Sequence, residues 1–158
     1  MYRIGQGADA HRFDKNSKLI IGGTEIPYEF GLKGHSDADV LVHAICDALL
    51  GAAGEKDIGT QFPDTDKRYK NISSLKLLEE VVKILESNSF SIVNLDSVII
   101  CEKPTLSPYI DTMKEKISEV INLDKNDIGI KATTTEKMGF TGQEEGIAAT
   151  AIALIKKL

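Results

Sequence analysis

An α/β fold of the α+β kind, with helices packed on one face of a sheet, is predicted for this sequence from three observations. In the second half of the chain, amphipathic helical segments alternate with extended runs rich in Val and Ile. The 158 residues are 42% hydrophobic, enough for a sizeable core in one domain spanning 1–158, and no repeat, low-complexity tract or Pro/Ser-rich linker divides them. The strands are not clearly polar on alternate positions, so the second face of the sheet must be buried too, and self-association would bury it.

The elements follow in order. Residues 2–8 read as a strand leading into Asp9 and His11. Leu19-Ile20-Ile21 and Glu25-Ile26 flank Gly22-Gly23, a hairpin signal. After a polar loop, a helix is expected from about Ser36 to Ala53, capped by Ser36, with Asp37 and Asp39 favouring its positive end. A second helix, about 73–87, carries Leu75, Leu78, Val82 and Leu85 on one stripe. Phe90 to Cys101 reads as a buried strand. Ser107-Pro108 opens the next helix with a capping residue and a proline at its first position, and Ile110, Met113, Ile117 and Val120 form its apolar face. Ile128 to Thr134 is another strand. A last helix, about 143–157, is predicted because Glu144 and Glu145 at its start and Lys156 and Lys157 at its end oppose the helix dipole.

Composition narrows the function. A net charge of −5 argues against broad binding to nucleic acid or anionic membrane, although local donors and metal ions can still hold a phosphorylated ligand. No apolar run approaches the ~20 residues needed to span a bilayer. The first residues resemble neither a signal peptide nor a transit segment, so the cytoplasm is the expected setting, or an organelle stroma if a leader has been removed. Cys46 and Cys101 belong to no metal-spaced pair and read as thiols in a reducing compartment.

Three clusters carry chemistry. The chain has three histidines, His11, His35 and His43. In an extended segment Asp9 and His11 point to one face, roughly 6–7 Å apart along the strand, so both can reach one metal ion. His43 lies in the first helix, and one carboxylate with two imidazoles makes a good zinc set with a fourth position left for substrate. Asp39 and Asp47, aligned with His43 by helical spacing, read as supporting or solvated residues rather than further ligands. The second cluster, Asp57 to Asp66, contains glycine, proline and several acids and reads as an exposed loop. The third runs from Lys131 to Gly142, where a strand ends. Its threonine hydroxyls, free amides and lysines can bind phosphate oxygens, and Glu136 can hold a hard cation such as Mg²⁺. Each cluster alone also has an ordinary structural explanation.

Together, Gly7-x-Asp9-x-His11-Arg12-Phe13, Ile21-Gly22-Gly23, Gly34-His35-Ser36-Asp37-x-Asp39-Val40, Asp57-Ile58-Gly59, Phe62-Pro63-Asp64-Thr65-Asp66, Lys131-Ala132-Thr133-Thr134-Thr135-Glu136-Lys137 and Gly139-Phe140-Thr141-Gly142 form an ordered set. Over nearly the whole chain this set resembles the 2-C-methyl-D-erythritol 2,4-cyclodiphosphate synthase family of the non-mevalonate isoprenoid pathway. The resemblance implies a lyase converting 4-diphosphocytidyl-2-C-methyl-D-erythritol 2-phosphate to the cyclic diphosphate and CMP. It implies one Zn²⁺ per subunit on Asp9, His11 and His43, and Mg²⁺ or Mn²⁺ on the phosphates with help from Glu136. His35 and Thr134 match transition-state-stabilising positions. Ser36, Asp57, Ile58, Gly59, Phe62, Pro63, Asp64, Thr65 and Asp66 match the positions that hold the methylerythritol part. Thr135, Phe140 and Gln143 are further implied substrate contacts, and Ala132 and Thr133 are implied contacts of the cytidine part. The cytidine pocket falls on Cys101, Glu102, Lys103, Pro104, Thr105, Leu106 and Ser107. A homotrimer is implied, its sheets facing the threefold axis and its active sites between subunits.

Three positions depart from the family pattern. Gln6 stands where histidine is frequent, Thr105 where lysine is common, and Gln143 where a phosphate-binding arginine is often found, so phosphate binding loses charge there. Two other functions remain open at this level: a zinc hydrolase working on a phosphate or ester, and a non-catalytic trimeric module binding an isoprenoid diphosphate. The first lacks a clear general-base arrangement of the HExxH type. Intact Asp9, His11, His43 and Glu136 argue against the second.

Overall fold

A computed structural model describes residues 1–158 and contains a five-stranded mixed sheet with three long helices on one face. The chain begins with β1 (Tyr2–Asp14), followed by a hairpin of β2 (Leu19–Ile21) and β3 (Thr24–Ile26) and the short β4 (Gly31–Leu32). Gly22 and Gly23, with φ of 60° and 68°, form the two-residue turn that the hairpin signal required. Next come α1 (Val40–Ala53), the single turn α2 (Ile58–Gln61), α3 (Ser74–Ser87) and β5 (Phe90–Ile100). The remaining elements are α4 (Ile110–Ile121), β6 (Ile128–Thr133), the single turn α5 (Gly139–Gly142) and β7 (Gly146–Lys157).

The sheet order is β4-β1-β7-β5-β6. β7 lies at its centre, antiparallel to β1 from Tyr2↔Lys156 to Arg12↔Gly146 and antiparallel to β5 on its other side. β5 and β6 are parallel, joined through α4.

The sequence had predicted a helix over 143–157, and the structure corrects this to β7. The charge asymmetry that suggested a helix is incidental: Glu144 and Glu145 lie in the preceding turn, with Glu144 at φ 59°. Ile147, Ala149, Ala151, Ala153 and Ile155 alternate into the core. The intervening Ala148, Thr150, Ile152 and Leu154 are largely apolar as well, which hides the period of two. Tertiary packing overrides the helix preference of the alanines.

The first helix is also shorter than predicted. Its cap is Asp39, not Ser36: the carboxylate accepts from Val42 N at 3.0 Å and from the turn amides of Gly22 and Gly23 at 2.9 and 2.7 Å. Burial pushes Asp39 up to about 6 while these three amides act to lower it. Asp37 caps a different helix, accepting from Ser74 N at 3.0 Å at the start of α3. The stripe of α3 is centred on Leu77, Leu78, Val81 and Leu85, with Leu75 and Val82 at its margins. In α4 Met113, Ile117 and Ile121 are buried, with Val120 and Ile110 beside them; Pro108 sits in the 3₁₀ turn Ser107–Tyr109 that leads in.

α1 lies directly over β1 and β7, and eleven of its fourteen residues are buried. Gly5 and Gly7 allow this close approach: a Cβ on Gly7 would meet the carbonyl oxygen of Ala44, and one on Gly5 that of Ala48. The opposite face of the sheet has no covering element, and it leaves Ile4 74% and Ile152 52% exposed. No helix is long and apolar enough to cross a membrane.

Candidate metal centre and adjoining cavities

The close packing of α1 on β1 brings His43 to Asp9 and His11, which project from the same side of the strand as the two core-facing glycines. Asp9 Oδ2 lies 2.8 Å from His11 Nε2 and 3.1 Å from His43 Nδ1, and the two ring nitrogens are 3.3 Å apart. These ligand atoms all fall within 4.8 Å of one another.

The opposite side of each imidazole sets its tautomer. His11 Nδ1 donates to the Lys33 carbonyl at 2.9 Å, which turns the Nε2 lone pair toward Asp9. Ser74 gives its single hydroxyl proton to Asp37, so its oxygen accepts from His43 Nε2 at 2.9 Å. Ser36 Oγ lies 3.1 Å from the same nitrogen and accepts from Ala38 N at 3.3 Å. His43 Nδ1 therefore also presents a lone pair. Two lone pairs and a carboxylate converge on one point, an arrangement that favours a cation there. The residues fit a divalent metal.

Burial acts to raise the Asp9 pKa, but where a proton rather than a cation lies between Asp9 and the rings, hydrogen bonds from His11 and His43 outweigh it and hold it at about 2. Burial acts to lower that of His11, yet the hydrogen bond and charge of Asp9 leave it above its ordinary value. A metal must displace that proton. Divalent-metal affinity is therefore expected to rise about tenfold per pH unit below the elevated His11 pKa and to level off above it. Zn²⁺ titration against a chromophoric chelator between pH 5 and 8 checks this, and a flat profile would refute it.

The other predicted residues fall into separate groups. A cavity of about 390 Å³ next to the triad is bordered by His35, Ser36, Ile58, Gly59, Phe62 and Asp64. Leu77, Tyr69 and Ile72 line it as well, residues that sequence reading assigned only to helix or loop. Ser74 was likewise missed, because a serine at a helix start carries only a capping signal. Asp57 caps α2, accepting from Thr60 N at 2.8 Å, so the expected exposed loop contains a helical turn there. Asp47 accepts from Ile58 N at 2.9 Å and ties α1 to that turn. Asp66 binds Arg68 and accepts from its backbone amide.

A second cavity, about 230 Å³, is formed by Cys101, Glu102, Pro104, Thr105, Leu106 and Ser107 together with Ala132, Thr133 and Thr134. It shares no lining residue with the metal cavity. Lys103 points elsewhere, 3.5 Å from Glu144, so its charge does not replace the one absent at Thr105. Thr135 Oγ1 lies 3.0 Å from Thr141 Oγ1, and Glu136 begins a left-handed pair with Lys137, at φ 54° and 64°. Gln143 donates to the Lys137 carbonyl at 2.6 Å and so braces this turn. Phe140 borders a third hollow beside Ala10, His11 and Arg12. Gln6 points away from the triad, as the strand period predicts.

Comparison with known proteins agrees with this geometry. A family model described as the YgbB family matches residues 2–156. A Listeria innocua protein named 2-C-methyl-D-erythritol 2,4-cyclodiphosphate synthase is 54% identical over 157 residues, covering 99% of this chain and 100% of the relative. A structure of a Plasmodium falciparum IspF in complex with CDP superposes with a TM-score of 0.86 at 33% identity, over 99% of this chain and 96% of the other. The bifunctional IspDF of Campylobacter jejuni gives a TM-score of 0.95 at 39% identity; all of this chain matches 43% of that longer one. With its converging triad and full-length similarity, the chain belongs to the YgbB family, the family of the 2-C-methyl-D-erythritol 2,4-cyclodiphosphate synthases.

Proposed function

We propose that residues 1–158 form one synthase domain that converts 4-diphosphocytidyl-2-C-methyl-D-erythritol 2-phosphate to 2-C-methyl-D-erythritol 2,4-cyclodiphosphate and CMP. The observation that carries this reading is the Asp9, His11 and His43 triad, its tautomers set from behind, in a chain 54% identical to a named synthase. An oxygen of the substrate's 2-phosphate attacks the β-phosphorus, the bond from that phosphorus to the oxygen bridging to the α-phosphorus breaks, and CMP departs with the bridging oxygen. The nucleophile belongs to the substrate, which accounts for the lack of a nucleophile motif in the sequence.

Asp9, His11 and His43 would hold Zn²⁺, and Glu136 would help to hold Mg²⁺ or Mn²⁺; once bound, these ions would supply positive charge to the phosphates. The protein's own groups position and polarise. His35 and Thr134 stabilise the charge on the oxygens of the transferring phosphoryl group, Ser36, Asp57 and Gly59 hold the polyol, and the Cys101–Ser107 stretch with Ala132 and Thr133 receives cytidine. CDP bound to the Plasmodium falciparum relative supports a cytidine ligand. The cytoplasm is the proposed setting.

A homotrimer with sites between subunits accounts for two features: the uncovered apolar sheet face, and the separation of the metal cavity from the cytidine cavity within one chain. Ile152→Asp is expected to yield monomers by sedimentation and to abolish turnover. An active trimeric variant would refute that assembly.

Phosphorus NMR of the purified protein with its substrate, Zn²⁺ and Mg²⁺ tests the reaction. CMP and a cyclic diphosphate, both lost on chelation, are expected; a hydrolysed product or no product from metal-loaded protein would overturn the assignment.

A further inference from the structure

Beside the metal cavity lies a further space of about 440 Å³ that shares the lining residues Gly34, His35, Asp64 and Tyr69 with it. Its outer wall is the segment from Thr65 to Asn71, which includes the 3₁₀ turn Lys67–Tyr69. Lys67 opens this turn and Lys70, in extended backbone, ends it, and both line this space. Their neighbour Arg68 is neutralised: its guanidinium binds Asp66 through Nε at 3.1 Å and Nη2 at 2.7 Å. No carboxylate lies within ion-pair reach of either lysine. Asp64 is the acid of this wall, and it lies 3.6 Å from His35 Nε2. The segment is held in place at both ends. Tyr69 packs edge-on to Phe62 with ring centroids 5.2 Å apart, and Asn71 N donates to the His35 carbonyl at 3.3 Å.

Two lysines without a carboxylate partner, lining the same space as His35 in a chain of net charge −5, make a local positive field. We propose that Lys67 and Lys70 form a phosphate-binding vestibule at the mouth of the active cavity, which attracts and positions a phosphate group of the incoming substrate. This rests on the synthase reading for the identity of that substrate, but not for the anion binding itself. The lysines act on binding rather than on bond breaking, because they line the outer space and not the one beside the triad.

The test uses the full chain and inorganic phosphate as probe. Calorimetry in the presence of a chelator removes the metal contribution and is expected to show phosphate affinity that falls at least about fivefold in Lys67→Gln/Lys70→Gln, but not in the distant Lys125→Gln. In turnover the double variant is expected to raise KM about tenfold with kcat within about twofold, and to flatten the dependence of kcat/KM on ionic strength. Lys67→Arg/Lys70→Arg should restore both. Equal phosphate affinity in wild type and double variant, or an unchanged KM, would overturn the vestibule. Wild-type protein that binds phosphate through these lysines yet forms no cyclic product would instead count against the synthase reading and leave the vestibule standing.

Discussion

Replacing His43 with alanine is expected to remove the bound metal and the activity together. In the proposed site the imidazole is one of three protein ligands, and it is the one that joins the helix to the strand: Asp9 and His11 both come from β1, two residues apart. With two ligands left, the site loses its chelate geometry. A metal ion contributes several kcal/mol to charge stabilisation in such reactions, so turnover should fall by about a thousandfold or more. A second, smaller cost comes from behind the ring. His43 Nε2 is the donor to Ser74, and without it that hydroxyl keeps its bond to Asp37 but loses one accepted hydrogen bond, which destabilises by about 1 kcal/mol. Elemental analysis for zinc, phosphorus NMR for product and thermal unfolding measure the three effects separately. Full turnover in the variant would remove the triad from the chemistry.

Gly7→Ala is the second large effect, and it works at a distance from any ligand atom. The added methyl group would occupy the space of the Ala44 carbonyl oxygen, with the Ala48 backbone amide also within reach. Neither neighbour is a flexible side chain, so relief requires α1 to move off the sheet. Overpacking of this kind costs about 1–3 kcal/mol, and the rigid backbone partner places the expected value near the upper end. Because His43 is adjacent to Ala44 on that helix, displacement also opens the triad. We expect lower thermal stability and markedly weaker zinc binding, with Asp9, His11 and His43 all still present. A variant of wild-type stability with full zinc occupancy would show that the helix contact is softer than its geometry indicates. Gln6, which projects to the other face, provides the control: Gln6→Ala should leave zinc binding unchanged.

The sequence revealed some parts of this protein and hid others, for physical reasons. Asp9 and His11 could be paired because a strand has a period of two, and His43 could be placed on a helix because its surroundings are apolar and uninterrupted. The hairpin followed from two adjacent glycines. What could not be read was the support behind the ligands. Lys33 acts through its carbonyl, and Ser74 is 31 residues from the histidine it holds, so neither leaves a mark in local pattern. β7 was missed because both of its faces are apolar, one against α1 and the other uncovered, which leaves no alternation to detect. The charges at its ends then pointed to the wrong element. Likewise Asp37 and Asp39, two residues apart at one presumed helix start, cap different helices, and only the tertiary fold separates their roles.

The central position of β7 has a consequence for biosynthesis. Its two neighbours, β1 and β5, are complete long before it is translated, yet neither has its main pairing partner until Gly146–Lys157 emerges from the ribosome. At about 5–20 residues per second, β1 waits roughly 7–30 s in the nascent chain, exposing its hydrogen-bonding edges together with the apolar surface of α1. The two long ladders of this sheet, β1–β7 and β5–β7, cannot form until residues 146–157 have emerged, whereas the short β1–β4 and the β5–β6 pairs need no part of β7. Shielding of the nascent chain by a chaperone should therefore govern yield, and a ribosome stalled before residue 146 should carry a protease-sensitive chain, whereas a chain whose residues 146–157 have cleared the ribosome should be resistant.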